Sequence, residues 1–223
     1  MPLRILYEDN HLLAVFKPAG VATMGVKPGE PSLIQQAKQY LKQKYHKPGN
    51  VYLGVVSRLD ALVSGVIVLA RTSKAAARLT EQFKKRTVQK TYWAVVEGHG
   101  LPSAGTFEDW LVKDESAQRM RVVKPGTSGA QAARLSFRRL RELPDATLLE
   151  VQLETGRKHQ IRVQFAERGH PILGDKKYGG QRSFPGGIAL HARQLCLTHP
   201  VTKEEVDLLA PLGVLWKKLG IID

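Results

Sequence analysis

Apolar positions along the chain alternate between period-2 runs and helical spacing, and their order predicts the fold. Leu3–Tyr7 and Leu12–Phe16 are short strand-like runs around the turn Glu8-Asp9-Asn10-His11. After Lys17-Pro18-Ala19-Gly20 the chain is irregular through Pro31. Ser32 then suits a helix cap, because Leu33, Ile34, Ala37, Tyr40, Leu41 and Tyr45 share one face while Lys38, Lys42 and Lys44 lie off it. Pro48-Gly49 ends that helix. Val51–Val56 and Val66–Ala70 read as strands enclosing Ser57-Arg58-Leu59-Asp60, and Ser73 suits the cap of a second helix from Lys74 to Lys85.

Val88–Val96 follows as an alternating strand. Phe107–Leu111, Met120–Val123, Ala133–Phe137 and Leu148–Leu153 are β-like runs separated by turn residues. His159 to Arg168 is helical and ends at Gly169; Ile188–Thr198 and Val206–Leu209 are strands, and Val214–Leu219 is a terminal helix. No internal repeat, low-complexity tract or compositional break marks a linker. The pattern predicts one α+β domain over residues 1–223, with helices on one side of a mainly antiparallel sheet. Long β-runs without regular βαβ alternation argue against a doubly wound fold.

Charge changes this picture more than composition does. The 223 residues carry 34 Lys and Arg against 20 Asp and Glu, a net charge of +14. Residues 1–30 and 91–150 are balanced, whereas residues 31–90 hold 12 cations against only Asp60 and Glu81. So localised a field concentrates a polyanion and makes its binding salt-sensitive, which favours nucleic acid as partner over a membrane surface. The apolar stretch Leu62–Ala70 is interrupted by Ser64-Gly65 and far shorter than the roughly 20 residues of a membrane helix. The amino-terminal residues hold acids where a signal peptide has its apolar region, and the single cysteine, Cys196, has no internal disulfide partner. A cytoplasmic protein is expected, and a monomer, since no heptad or broad apolar surface stripe is evident.

Several chemistries lack their motifs. There is no GxxxxGK[ST] phosphate loop, and Gly98-His99-Gly100 meets Ser103 where a dinucleotide fingerprint needs glycine. The seven histidines show no HExxH spacing, one cysteine cannot build a structural zinc site, and neither Ser57 nor Ser64 lies in a GxSxG elbow. No metal, nucleotide or other cofactor is expected, which leaves the chemistry to side chains. Asp60 is then the outstanding candidate: it is the one acid from Pro31 to Thr80, two positions after Arg58. A carboxylate among cations stays ionised and can act as a nucleophile.

The segment Gly54-Val-Val-Ser-Arg-Leu-Asp60, continuing Ala-Leu-Val-Ser64-Gly65-Val-Ile-Val-Leu, resembles the catalytic motif of the RluA-type pseudouridine synthases. Further stretches match that family in order: the opening element ending Lys17-Pro18-Ala-Gly20, Lys90-Thr91-Tyr92, and Glu154-Thr-Gly156-Arg157-Lys-His159-Gln160-Ile161-Arg162. Ile172-Leu-Gly-Asp175-Lys-Lys-Tyr178-Gly, Leu190-His191-Ala and His199-Pro200 complete the set, over residues 5 to 211. The match begins with the catalytic opening, so the expectation is a catalytic domain without the small amino-terminal RNA-binding domain of some relatives. Ser57 stands where the family has His, and Val63 where it has Thr.

The resemblance implies an isomerase that converts uridine in structured RNA, transfer or ribosomal, to pseudouridine: the N1–C1′ bond breaks, uracil turns, and C5 joins C1′. It makes Asp60 the nucleophile, attacking C1′ or C6 of the uracil, or a base acting on the ribose. Tyr92 packs on the flipped-out base, and its hydroxyl helps proton transfer at C5. Arg162 pairs with Asp60, and Arg58 reaches into the stack or holds the displaced partner. Lys17, Lys90, Arg157 and His159 become phosphate or ribose contacts. The departures at Ser57 and Val63 keep a second reading open, a catalytically silent RNA-binding protein with the same fold. A DNA-directed base-processing enzyme would share base flipping and a carboxylate, but the ordered set of segments favours RNA.

Overall fold

In the computed structural model, which describes residues 3–27 and 29–222, the elements follow in the order β1 (Arg4–Glu8), β2 (Leu12–Lys17), α1 (Leu33–Lys44), β3 (Gly54–Val55), β4 (Ser64–Ala70), α2 (Ser73–Lys85), β5 (Gln89–Glu97), β6 (Ala104–Asp114), β7 (Arg119–Val123), β8 (Gln131–Leu143), β9 (Ala146–Leu153), α3 (Gln160–Ala166), a 3-10 turn (Lys176–Tyr178), β10 (Leu190–Thr198), β11 (Glu205–Leu209) and α4 (Val214–Lys218). The fold is α+β, and the ladders β1–β2, β2–β4, β5–β9 and β8–β9 are antiparallel, in keeping with the mainly antiparallel sheet that the sequence pattern predicts. Within it the chain forms two compact units, Met1–Gln89 with Ala192–Pro211, and Lys90–His191 with Leu212–Asp223.

In the first unit the strand order is β1-β2-β4-β10, with β3 on β4 and β11 on β10. Strands β2 and β4 are continuous apolar runs, and Leu12–Val15 and Val66–Ala70 are buried throughout. That is the signature of strands covered on both faces. Helix α1 lays Leu33, Ala37 and Leu41 on Leu13, Val15, Ile67 and Leu69, and Val51 and Leu53 close the cluster. A full capping box starts the helix: Gln35 N–H donates to the Ser32 hydroxyl while the Gln35 side chain accepts from Ser32 N–H. The cap of α2 is Thr72 rather than the expected Ser73, its hydroxyl accepting from Ala75 N–H at 3.1 Å. Of the expected strand Val51–Val56 only Gly54–Val55 forms a ladder, because Val51 and Leu53 are spent on the α1 core.

Glu8 ties three elements of this unit together. Its carboxylate accepts from Tyr40 and Tyr45 hydroxyls at 2.7 and 2.6 Å, from Lys44 Nζ at 2.8 Å and from Arg71 Nη1 at 3.2 Å. Burial alone would raise this carboxyl, but the hydrogen bonds from Lys44, Tyr45 and Tyr40 outweigh it and hold the pKa at about 2. At the far end of the unit, the Cys196 thiol donates to Asp207 Oδ1 at 3.2 Å, and burial with that carboxylate pushes it up to about 11.

Gly65 permits the closest backbone approach in the unit. It has φ +126°, and a Cβ there would lie 2.5 Å from Ala192 N and 2.7 Å from Ala192 C, overlapping the Ala192 oxygen as well. Both backbone segments are held in place, Gly65 opposite Lys17 in the β2–β4 ladder.

In the second unit the order is β5-β9-β8-β6-β7. Strands β6 and β8 run to 11 and 13 residues, well past the apolar runs visible in the sequence, because exposed Arg and Glu side chains occupy the outward positions of their ladder. Phe107, Phe137 and Phe165 meet at centroid distances of 4.8 to 5.5 Å. Trp216 of α4 is buried with Val95, Leu148 and Leu173. The helix expected over His159–Arg168 is the shorter α3, and the 3-10 turn Lys176–Tyr178 had no counterpart in the periodicity.

Two outcomes follow from these arrangements. Gly65→Ala is expected to lose more than about 3 kcal/mol in urea unfolding, from clash and disfavoured φ together. For Glu8, whose folded pKa lies below the ordinary 4.5, stabilisation is complete above pH 4.5 and is lost as pH falls through about 2. Glu8→Gln should therefore lower the melting temperature at pH 7 and flatten the acid limb of the stability curve.

Candidate active site

The sequence-predicted residues divide between the units: Lys17, Arg58 and Asp60 belong to the first, and Lys90, Tyr92, Arg157, His159 and Arg162 to the second. Asp60 is half-buried in the turn that leads from β3 into β4. Its backbone carbonyl accepts from Val63 N–H at 3.1 Å, which closes the turn. The residues on either side of it are held from the loop after β2. Gly20 N–H donates to Ala61 O at 2.8 Å, while Thr23 Oγ1 donates to Leu59 O at 3.0 Å and accepts from Leu59 N–H at 3.3 Å. Arg58 is exposed just before this turn and is in no ion pair among the described residues. Val63, in place of the family's Thr, is 3% exposed and serves as core.

Lys17 is not where the sequence reading put it. A phosphate contact needs an accessible ammonium, and this side chain is 0% exposed. Its Nζ donates to Pro18 O at 3.0 Å, Val21 O at 2.7 Å and Ala61 O at 3.0 Å, which uses every N–H of the ammonium. Burial lowers its pKa from 10.5 to about 7, against the opposing pull of the Asp60 charge. The expectation of an RNA contact at Lys17 is thus corrected: the lysine is internal and belongs to the scaffold of the Asp60 turn.

In the second unit, β5 carries Lys90 and Tyr92 side by side, with Tyr92 opposite Val151 of β9. Lys90 Nζ reaches Thr155 O at 3.4 Å, at the start of the loop that bears Arg157 and His159. Buried Gln160 staples that loop. Its Oε1 accepts from Thr155 Oγ1 at 2.7 Å and Arg157 N–H at 3.0 Å, and its Nε2 donates to Arg134 O at 3.0 Å. Arg157 turns its Nε to Ala132 O at 2.9 Å. His159 sits in the left-handed region with φ 54° at the entrance to α3, its Nδ1 2.8 Å from Tyr178 Oη.

Arg162, one turn further, is 3% exposed and forms a bidentate pair with Asp175: Nε to Oδ2 at 2.6 Å and Nη2 to Oδ1 at 2.8 Å. Its guanidinium lies 5.0 Å from the Tyr178 ring centre, and Tyr178 Oη in turn accepts from Met120 N–H at 2.9 Å. A planar guanidinium gripped on one edge by a carboxylate and on one face by a ring has little rotational freedom. Asp175 and Tyr178 were quoted in the sequence motifs without a role. The available signal was that Asp175 is the one acid between Glu167 and Glu204. Among the described residues no three His, Cys, Asp or Glu side chains group as a metal site, and no helix is long and apolar enough to cross a membrane.

A family model described as RNA pseudouridylate synthase matches residues 11–167, a stretch that includes Asp60, Tyr92 and Arg162. The chain belongs to the RNA pseudouridylate synthase family. It is 37% identical over 219 residues to an uncharacterized RNA pseudouridine synthase of Bacillus subtilis (strain 168), covering 97% of this chain and 71% of that protein. Against ribosomal large subunit pseudouridine synthase D of Zymomonas mobilis it is 34% identical over 221 residues, covering 93% and 68%. Among solved structures, human RNA pseudouridylate synthase domain containing 4 superposes with a TM-score of 0.81 at 27% identity, over 99% of this chain and 95% of that one. The protein is accordingly an enzyme that isomerises uridine in RNA to pseudouridine, and RNA is its partner.

The Arg162–Asp175 pair gives a prediction of its own. Asp175→Ala removes the bidentate carboxylate from a buried guanidinium, and the expected cost in denaturant unfolding is about 3–5 kcal/mol.

Proposed function

We propose that Asp60 is the nucleophile of this pseudouridine synthase, acting on a uridine flipped out of a structured RNA. The observation that carries this reading is the Asp60 turn itself. One carboxylate stands in an otherwise acid-free segment, and its two chain neighbours are hydrogen-bonded to a second loop. A reacting group held this way gains from pre-organisation, because misplacement by about 1 Å can cost 10²-fold in rate.

Tyr92 serves the base with its ring and hydroxyl, and Arg162 serves the Asp60 carboxylate with its charge. The exposed Arg58 takes the space that the flipped base leaves. Lys90, Arg157 and His159 contact ribose or phosphate. The reaction balances without a cofactor: C1′ exchanges its bond to N1 for one to C5, and the C5 proton leaves while N1 gains one. Large-subunit ribosomal RNA is the proposed substrate, because relatives of Zymomonas mobilis and Vibrio cholerae carry that RNA in their names. The cytoplasm is the proposed compartment, with the enzyme acting as a monomer.

The test is position-resolved pseudouridine mapping of unmodified ribosomal and transfer RNA treated with wild type or with Asp60→Asn. Wild type is expected to add pseudouridine at discrete large-subunit positions, and Asp60→Asn to lower turnover by about 10³-fold or more. Modification of transfer RNA alone would move the substrate assignment, and full activity of Asp60→Asn would remove the nucleophile assignment.

A further inference from the structure

Residues 71–90 hold seven cations, and Glu81 is the one acid from Ala61 to Val96. The cations are unevenly placed: Lys84, Lys85 and Arg86 stand together where α2 ends, shortly before Lys90 of β5. All three are exposed. Lys85 reaches Glu81 at 3.2 Å, but both side chains are more than half exposed, so the pair takes up little of its charge. Among the described residues Lys84 and Arg86 enter no ion pair.

Cations at a helix C-terminus answer the helix dipole, and that alone would account for Lys84 and Lys85. It does not account for Arg86. This residue has φ 60° and ψ 30°, the left-handed conformation in which helices commonly end on glycine. A Cβ there costs backbone energy that glycine would spare. The turn is nevertheless firmly held. Arg86 N–H and Thr87 N–H donate back to Phe83 O and Gln82 O at 3.3 and 3.1 Å, and Thr87 Oγ1 donates to Gln82 O at 3.3 Å. The Gln82 side chain is itself pinned to β10, donating to Thr198 O at 2.7 Å and accepting from Thr198 N–H at 3.0 Å. Val88, just beyond, is buried. A guanidinium and an ammonium are thus carried on a braced turn, and the covalent chain keeps Arg86 within about 14 Å of Lys90.

We propose that Lys84 and Arg86 bind backbone phosphates of the RNA that flanks the reacting uridine. Arg86 offers one phosphate its planar pair of donors, and Lys84 brings a point charge to another. This rests on the reading of β5 as the strand that meets the base, and goes further by naming what holds the RNA next to it along the chain. Neither residue touches the uracil, so the braced turn serves affinity and register and not the chemical step.

The experiment measures filter binding of an unmodified large-subunit ribosomal RNA transcript across about 50 to 300 mM KCl. Urea unfolding and steady-state turnover are followed in parallel, for wild type, Arg86→Gly, Lys84→Gln and Lys74→Gln. Lys74 is exposed at the opposite end of the same helix and controls for net charge. Arg86→Gly is expected to weaken binding by about tenfold at low salt and to make the salt slope shallower by about 1. It should unfold at the same or a higher urea concentration, because glycine suits the left-handed turn. Lys84→Gln should lower affinity and slope in the same sense, Lys74→Gln should change neither, and kcat at saturating RNA should stay within about twofold throughout. Unchanged affinity and slope in Arg86→Gly or Lys84→Gln would overturn the proposal. An equal loss in Lys74→Gln would reduce it to net charge, and a fall in kcat with unchanged binding would move the residues into the chemistry; either result overturns it. If Arg86→Gly does not fold, Lys84→Gln against Lys74→Gln decides. If the wild type forms no pseudouridine in this transcript, the substrate reading falls, yet the salt slopes still judge the phosphate contacts, which do not depend on sequence.

Discussion

Strand β4 can begin where it does only because residue 65 has no side chain. The backbone of Ala192 occupies the volume that any Cβ at Gly65 would need, and the left-handed φ there turns the chain from the Asp60 loop into the ladder. Everything that matters on the amino-terminal side of the unit is referenced to this contact. Ser64 and Gly65 start the strand, Val63 enters the core, and Asp60 closes a turn three residues earlier. On the other edge of β4, β2 delivers Lys17 opposite Gly65, so the strand that pairs with β4 also carries the cation that holds the turn. The position of the carboxylate is thus set by backbone geometry on one side and by a buried charge on the other.

The second unit reaches a similar end by different means. Arg162 projects from a helix of only seven residues, too short for its own hydrogen bonds to make it rigid. Rigidity comes from outside the helix. Gln160 ties its first turn to Thr155, Arg157 and Arg134, and Asp175 with Tyr178 grips the guanidinium. A buried ion pair is a weak source of net stability but a strong source of orientation. Here it fixes where a positive charge stands.

Much of this was legible in the chain, and the gaps have physical reasons. The strands β2 and β4 and the helices α1 and α2 announce themselves by continuous apolar runs and by Leu33, Ala37 and Leu41 at helical spacing. Asp60 stood out because no other acid lies near it in sequence. Lys17 was misread because a lysine beside a glycine-containing loop gives no sign of burial; its role depends on Ala61, 44 residues away, and no local pattern encodes that distance. The 3-10 turn went unpredicted and Asp175 was given no role for the same reason, since their conformation answers to Arg162 and Met120 and not to their own neighbours. The length of β6 and β8 was hidden by charged residues that point outward while their backbone pairs.

The state of Cys196 has a practical consequence. Its thiol is held protonated at neutral pH by burial and by Asp207, so it is a poor nucleophile toward maleimides and other alkylating dyes. The native cysteine is therefore expected to react more slowly with such reagents than an ordinary exposed thiol. A single cysteine introduced at an exposed position such as Met24 would become the preferred site for a fluorophore or spin label, and the binding of an RNA could then be followed in real time on the otherwise unaltered enzyme.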